Sequence, residues 1–170
     1  SQDSNDPELL WAALERYQAY SSGEVLAIPH NSNVSNGRLF SPTRHNGEAF
    51  DRDYAAKRKR WEPLLEVTQV KGDSETHPYV SPQDRYADFE RWDEGNINLT
   101  QPKAPWMFAQ EYARPVLQAG LLYREQLQQN PYEFGLIGSS DSHTGFSAVA
   151  EDNFFGKFRS SEPSAERMFT

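Results

Sequence analysis

The 170-residue chain contains no cysteine. Disulfides and thiolate metal sites are therefore excluded, and any metal must be held by His, Asp, Glu or backbone oxygen. No apolar run approaches the roughly 20 residues that a membrane-spanning helix needs. Positive charge is scarce: 17 Lys and Arg stand against 25 Asp and Glu, a net charge of -8. That balance argues against nucleic acid as a partner, because phosphate backbones demand clustered Lys and Arg. The one basic cluster, Lys57-Arg58-Lys59-Arg60, reads as the solvated face of a helix. Apolar residues make up only 36% of the chain, while aromatics reach 13%. The aromatics can supply the buried area that aliphatics do not. Ser1 to Pro7 are polar and carry no signal-peptide core. A first residue other than Met suggests a processed or truncated piece. A soluble chain is expected, its compartment open, with periplasmic and secreted parents included.

What is present alternates. Asp6 can cap a helix, Pro7 suits its first position, and Glu8 favours its positive end. Leu9, Leu10, Ala13, Leu14 and Tyr17 follow at helical spacing, and Ser21-Ser22-Gly23 ends the run. Val25-Leu26-Ala27-Ile28 has the look of a buried strand leading into Pro29-His30-Asn31. Residues 49 to 61 predict a second helix with a thin apolar face. Leu64 to Val70 predict a strand that enters a polar loop from Lys71 to Gln83. Between 84 and 103 the aromatics Tyr86, Phe89 and Trp92 suggest a loop laid over the core. Pro105 opens the longest helical pattern, which Pro115 should kink or split and Asn130-Pro131 should stop. Phe134 to Gly138 predict a last strand, leading to Ser139-Ser140-Asp141-Ser142-His143. Residues 1–158 read as one α/β domain, with an aromatic run at 153–158 docking on the body and a polar tail at 159–170.

Three helix–strand alternations favour a parallel sheet with outer helices, whether open or part of a (βα) barrel. In such sheets functional groups collect where the strands' C-terminal ends feed loops. Each strand candidate here carries a polar or titratable residue at or near that end. In Asp141-Ser142-His143 the two side chains, two residues apart, can reach the same ion, and zinc and manganese accept such ligands; a surface turn capped by Asp141 is the alternative. His30 is either a ligand or a hydrogen-bonded structural histidine. Asn31 and Asn33 are turn formers or substrate contacts. Glu66, inside an apolar strand, must be paired, hydrogen-bonded or protonated if buried, and otherwise faces solvent. Lys71 and His77 sit in the loop beyond it, His77 as a ligand, a proton shuttle or a plain surface histidine. No Gly-x-Ser-x-Gly elbow, cysteine nucleophile or Walker loop is present.

The order Ala27-Ile28-Pro29-His30, Leu65-Glu66-Val67, Ala119-Gly120-Leu121 and Gly138-Ser139-Ser140-Asp141-Ser142-His143 resembles the second half of the PHP (polymerase and histidinol phosphatase) superfamily. These are metal-dependent phosphoesterases. The wording is closer still to a PHP-like bacterial domain of unknown function, over most of residues 24–157. The resemblance implies half of a distorted barrel in which His30, Asp141 and His143 bind a divalent metal (Zn, Mn or Fe), two or more ions being held in the intact parent. It places Glu66 in the lining of the site and gives His77 no counterpart. Beyond it, Glu66 or His77 is expected to orient groups or transfer protons in catalysis, and Asn31, Asn33 and Lys71 to contact a small phosphoester substrate. The family's opening His-x-His is not matched here, and His45 stands alone in a polar loop. The chain by itself is therefore expected to be inactive, and to pair through its open sheet edge with a second copy or with the N-terminal half of the parent barrel. An amidohydrolase-like metallohydrolase and a non-enzymatic binding or assembly domain are the competing expectations.

Overall fold

The computed structural model describes residues 4–69, 71–144, 150, 152, 157 and 165. The aromatic run at 153–158, apart from residue 157, and the tail at 159–170, apart from residue 165, lie outside the described residues. The first helix, α1 (Pro7–Ser21), begins where its local chemistry dictates. Asp6 accepts from the Glu8 backbone N–H at 3.0 Å, Pro7 occupies the first turn, and Ser22 ends the helix in a left-handed conformation. Its inward face is not the expected one. Leu9, Leu10 and Tyr17 are exposed, and the buried residue is Trp11 with Leu14 partly covered. A large indole anchored by a hydrogen bond outweighs two leucines in setting the helix's rotation.

Helix α2 (Arg52–Trp61) is capped by Asp51, which accepts from Tyr54 N–H at 2.7 Å. Tyr54, Ala55, Arg58 and Trp61 form its buried stripe. The basic run is thus not wholly a solvated face: Lys57, Lys59 and Arg60 are exposed, whereas Arg58 is 3% exposed. Arg58 donates through Nε to Glu62 Oε2 at 3.0 Å and through Nη2 to the Leu39 carbonyl at 2.7 Å, with its guanidinium 4.9 Å from the Tyr132 ring centre. The other oxygen of Glu62 accepts from Trp11 Nε1 at 2.9 Å. This polar knot stitches α1, α2 and the 38–40 loop through the middle of the core. Around it pack Phe40, Phe50, Tyr54, Trp61, Leu65, Ala113, Val116 and Tyr132. Phe50 stacks on Tyr54 at 4.4 Å.

The sheet has three strands in the order β2–β1–β3, where β1 is Leu64–Gln69, β2 is Gly72–Asp73 and β3 is Gly135–Gly138. Strand β1 runs antiparallel to β2 and parallel to β3, with a register shift between Glu66 and Thr68. An α/β arrangement with one parallel pair is therefore present; no barrel closes among the described residues. Val25–Ile28 does not become a strand. Among the described residues its backbone bonds are isolated: Ala27 N–H donates to the Trp61 carbonyl at 2.8 Å, and just beyond the segment Glu66 N–H donates to the Pro29 carbonyl at 3.0 Å. Pro29 has no N–H to continue a ladder. The β1–β2 turn needs Gly72, whose φ is +102° and whose missing Cβ would stand 2.6 Å from the Glu90 carbonyl oxygen.

The long helical pattern divides as its prolines require. A 3-10 helix, Pro105–Gln110, precedes α3 (Ala113–Leu127), and Pro115 falls in the first turn of α3, where no N–H is missed. Tyr86 and Phe89, expected to cover the core, are instead exposed, and of the three loop aromatics only Trp92 is partly buried. Helix α3 packs its Gly120 against Asn130, whose Oδ1 accepts from Tyr132 N–H at 2.8 Å. A Cβ at Gly120 would meet that Oδ1 at 2.4 Å. Gly120→Ala should therefore destabilise the protein by about 1–3 kcal/mol, despite alanine's better helix propensity, and urea unfolding would read it. An unchanged or raised midpoint would show that Asn130 yields freely.

Candidate functional site

The parallel pair β1–β3 delivers its C-terminal ends side by side, and the ladder continues one residue further as Ser139 N–H donates to the Thr68 carbonyl at 3.0 Å. Beyond it the chain turns sharply. Asp141 takes a left-handed φ of 52°, a conformation in which Asp is enriched among non-glycine residues. That turn sets Asp141 Oδ1 at 3.1 Å from His143 Nε2. Lys157 contacts Asp141 Oδ2, and its carbonyl accepts from His143 N–H at 2.7 Å. Burial alone would raise the Asp141 carboxyl, but hydrogen bonds from Lys157 and His143 hold it below its ordinary value. The stability that this carboxylate adds is thus present above its unfolded pKa and lost as pH falls through its depressed folded value.

Lys71, at the end of β1, joins the same neighbourhood. Burial lowers its ammonium to about 8, against the opposing pull of the Glu66 and Asp141 carboxylates and with a further push from Lys157. Glu66, half-buried, accepts from Gln69 Nε2. Glu66, Lys71, Asp141, His143 and Lys157 therefore form one charged cluster across the ends of β1 and β3. Lysine prefers the neutral form more when folded than when unfolded, so the stability owed to Lys71 is present above its unfolded value and lost as pH falls through about 8. In a chain with 13C-methylated lysines, one resonance should titrate near pH 8 and should vanish in Lys71→Met. The absence of any such resonance would remove the half-buried ammonium from this picture.

The remaining residues singled out in the sequence fall elsewhere. Asn31 has a left-handed φ of 65° and starts the 3-10 helix Ser32–Val34, accepting from Val34 N–H at 3.1 Å; it forms a turn. Asn33 is fully buried. Its Nδ2 donates to the Lys71 carbonyl at 3.3 Å, its Oδ1 accepts from Ser74 Oγ at 2.9 Å, and its own carbonyl accepts from Lys103 Nζ at 2.6 Å. It is a strut that fixes the loop carrying Lys71. His77 is buried, stacked on Phe108 at 4.2 Å. His30 is exposed and lines a cleft of about 570 Å3 with Ile28, Val34, Asn36 and Arg38; neither Asp141 nor His143 lines that cleft. Lys157 was not legible as a site residue, since nothing in spacing links it to a turn 16 positions earlier.

A carboxylate and an imidazole 3.1 Å apart suit zinc, manganese or iron as a pair of donors. Among the described residues, however, no group of three His, Cys, Asp or Glu side chains is arranged to hold an ion. The pair fits two positions of a coordination sphere, and His30 would have to approach it to supply a third. No helix of the described residues is long and apolar enough to cross a membrane.

No curated protein and no solved structure matches the chain. The model of a protein family of unknown function, DUF3604, matches residues 1–170. The strand-end cluster described above is thus a feature of a chain that belongs to the DUF3604 family.

Proposed function

We propose that this chain forms one wall of a metal-dependent hydrolase site acting on an anionic ester, a phosphoester being the best fit. The single observation carrying the reading is the Asp141–His143 pair, set at 3.1 Å at the C-terminal ends of two parallel strands beside Lys71 and Lys157. In open parallel sheets that is where ligands are bound. A divalent ion held by Asp141 and His143 would supply Lewis-acid activation of the ester. The chain's own residues do the rest: Asp141 orients the His143 ring, and the Lys71 ammonium offers charge to the ester's oxygens. Half-exposed His143 keeps its ring open to the ion's approach from solvent. The PHP-like order of motifs supports the phosphoester over amide substrates, and His30, whose ring lines a separate cleft, would have to turn towards the strand ends to supply a third ligand.

Calorimetric titration with Mn2+ or Zn2+ tests this. Binding should weaken by at least tenfold in Asp141→Asn and in His143→Ala, with little change in His45→Ala. Hydrolysis of an aryl phosphate with added Mn2+ should stay near background for the chain alone. Binding indifferent to both substitutions would refute the reading. The second reading, an assembly domain, draws on the sheet's open edge. Leu136 on β3 and Leu121 and Leu122 on α3 are exposed, a combination that natural proteins usually cover. It requires a dimer by light scattering that Leu136→Lys dissociates, whether or not metal is present.

A further inference from the structure

A second polar cluster lies apart from the charged strand ends. The His77 ring, 5% exposed, packs against both Phe108 and Tyr112, at 4.2 and 5.4 Å between ring centres. Its Nδ1 accepts from the Tyr79 backbone N–H at 3.0 Å. A neutral imidazole so bonded carries its proton on Nε2, which is then a donor only. That Nε2 is 3.2 Å from Asp93 Oδ2 but off the line of a hydrogen bond, and Oδ2 is already held by Arg91 Nη1 at 2.9 Å. Among the described residues, one buried polar atom on each of three side chains here has no hydrogen-bond partner: His77 Nε2, Asp93 Oδ1 and the Tyr112 hydroxyl. Native proteins seldom leave such groups without a partner.

The chemistry of these three atoms selects what can satisfy them. His77 offers one N–H, Asp93 offers an acceptor, and Tyr112 can do either. A cation would face the His77 N–H, and an anion would face the Asp93 carboxylate. A neutral molecule with two lone pairs and two hydrogens matches all three, and a water does so at the smallest volume. Proximity has independent support, because after burial the Asp93 charge is the strongest influence raising the Tyr112 phenol. We propose that His77, Asp93 and Tyr112 form a binding site for one internal water molecule that joins residue 93 to the start of α3. His77 is then a fixed donor in that site and does not ligate metal.

Two measurements on the full chain test this. In a crystal soaked with Mn2+, the expected result is a spherical peak within hydrogen-bonding distance of His77 Nε2, Asp93 Oδ1 and the Tyr112 oxygen, without anomalous signal. In solution, 17O relaxation dispersion should show one fewer long-lived water in Tyr112→Phe, which keeps the ring stacking. An anomalous peak, a larger molecule, or a carboxylate turned to bond His77 directly would each overturn the proposal. So would an unchanged count of long-lived waters in a folded Tyr112→Phe. If that variant fails to fold, the crystal of the unaltered chain decides alone.

Discussion

Arg58→Ala should cost about 3–5 kcal/mol of stability, because it leaves a buried carboxylate without its countercharge. The Arg58 and Glu62 side chains are 4% and 9% exposed. Burial opposes the guanidinium's charge, yet Glu62 and the ring oxygens of Tyr132 and Tyr54 hold it above its ordinary value. Removing it also orphans the Leu39 carbonyl and strips a cation from the Tyr132 face. Urea unfolding followed by Trp fluorescence would measure the loss. The double change Arg58→Met with Glu62→Gln distinguishes charge from volume. It keeps an acceptor for Trp11 Nε1 and removes both charges, so it should cost clearly less than Arg58→Ala. Equal cost would mean that packing, and not the uncompensated charge, governs the site.

Glu111→Ala is the second large effect, again about 3–5 kcal/mol. Glu111 is fully buried. It accepts from Gly37 N–H at 2.8 Å and from Lys103 Nζ at 2.7 Å, and Lys103 in turn donates to the Asn33 carbonyl. Losing the carboxylate leaves a 5%-exposed lysine unpaired and frees the strut that fixes the Lys71 loop. The variant should therefore also weaken metal binding at the strand ends, indirectly, whereas Glu111→Gln should retain the Gly37 bond and lose less of both. Burial raises the Glu111 carboxyl above 4.5 despite Lys103 and Gly37. Its stability contribution is accordingly present in acid and lost as pH rises through the folded value. Acid unfolding, where it occurs, falls to carboxylates held low, Asp141 among them.

Elements with strong local chemistry were legible in the sequence. The Asp6-Pro7-Glu8 start of α1, strand β1, the glycine-bounded β3 and the division of the long helical pattern near Pro115 all follow from capping, periodicity and proline geometry. Periodicity says which residues share a face, but not which face is inward. In α1 the Glu62 acceptor for the Trp11 indole decides that, 51 residues away. Arg58 shows the same limit. Within a run of four basic residues its charge reads as solvated, and only the Glu62 partner one turn later makes burial tolerable. The Arg58–Glu62 spacing of four was the available signal. Val25–Ile28 has strand composition, but without a second consecutive ladder bond composition does not become a strand.

The site was legible in part for the same reasons. Strand ends followed by Asp, His and Lys marked Glu66, Lys71, Asp141 and His143, which lie together around the Lys71 ammonium. Burial could not be read for Asn33 and His77, whose partners come from distant loops. His30 marked a strand end that did not form, and its ring lines a different cleft.

Paramagnetic broadening by Mn2+ tests most directly whether the ends of β1 and β3 hold the ion. In an amide-resolved spectrum of the whole chain, substoichiometric Mn2+ should first erase signals at 141–143 and then at 66–71, with His30 affected next. First loss at His45 or His77, or even attenuation over the acidic surface, would contradict a centre built on Asp141 and His143.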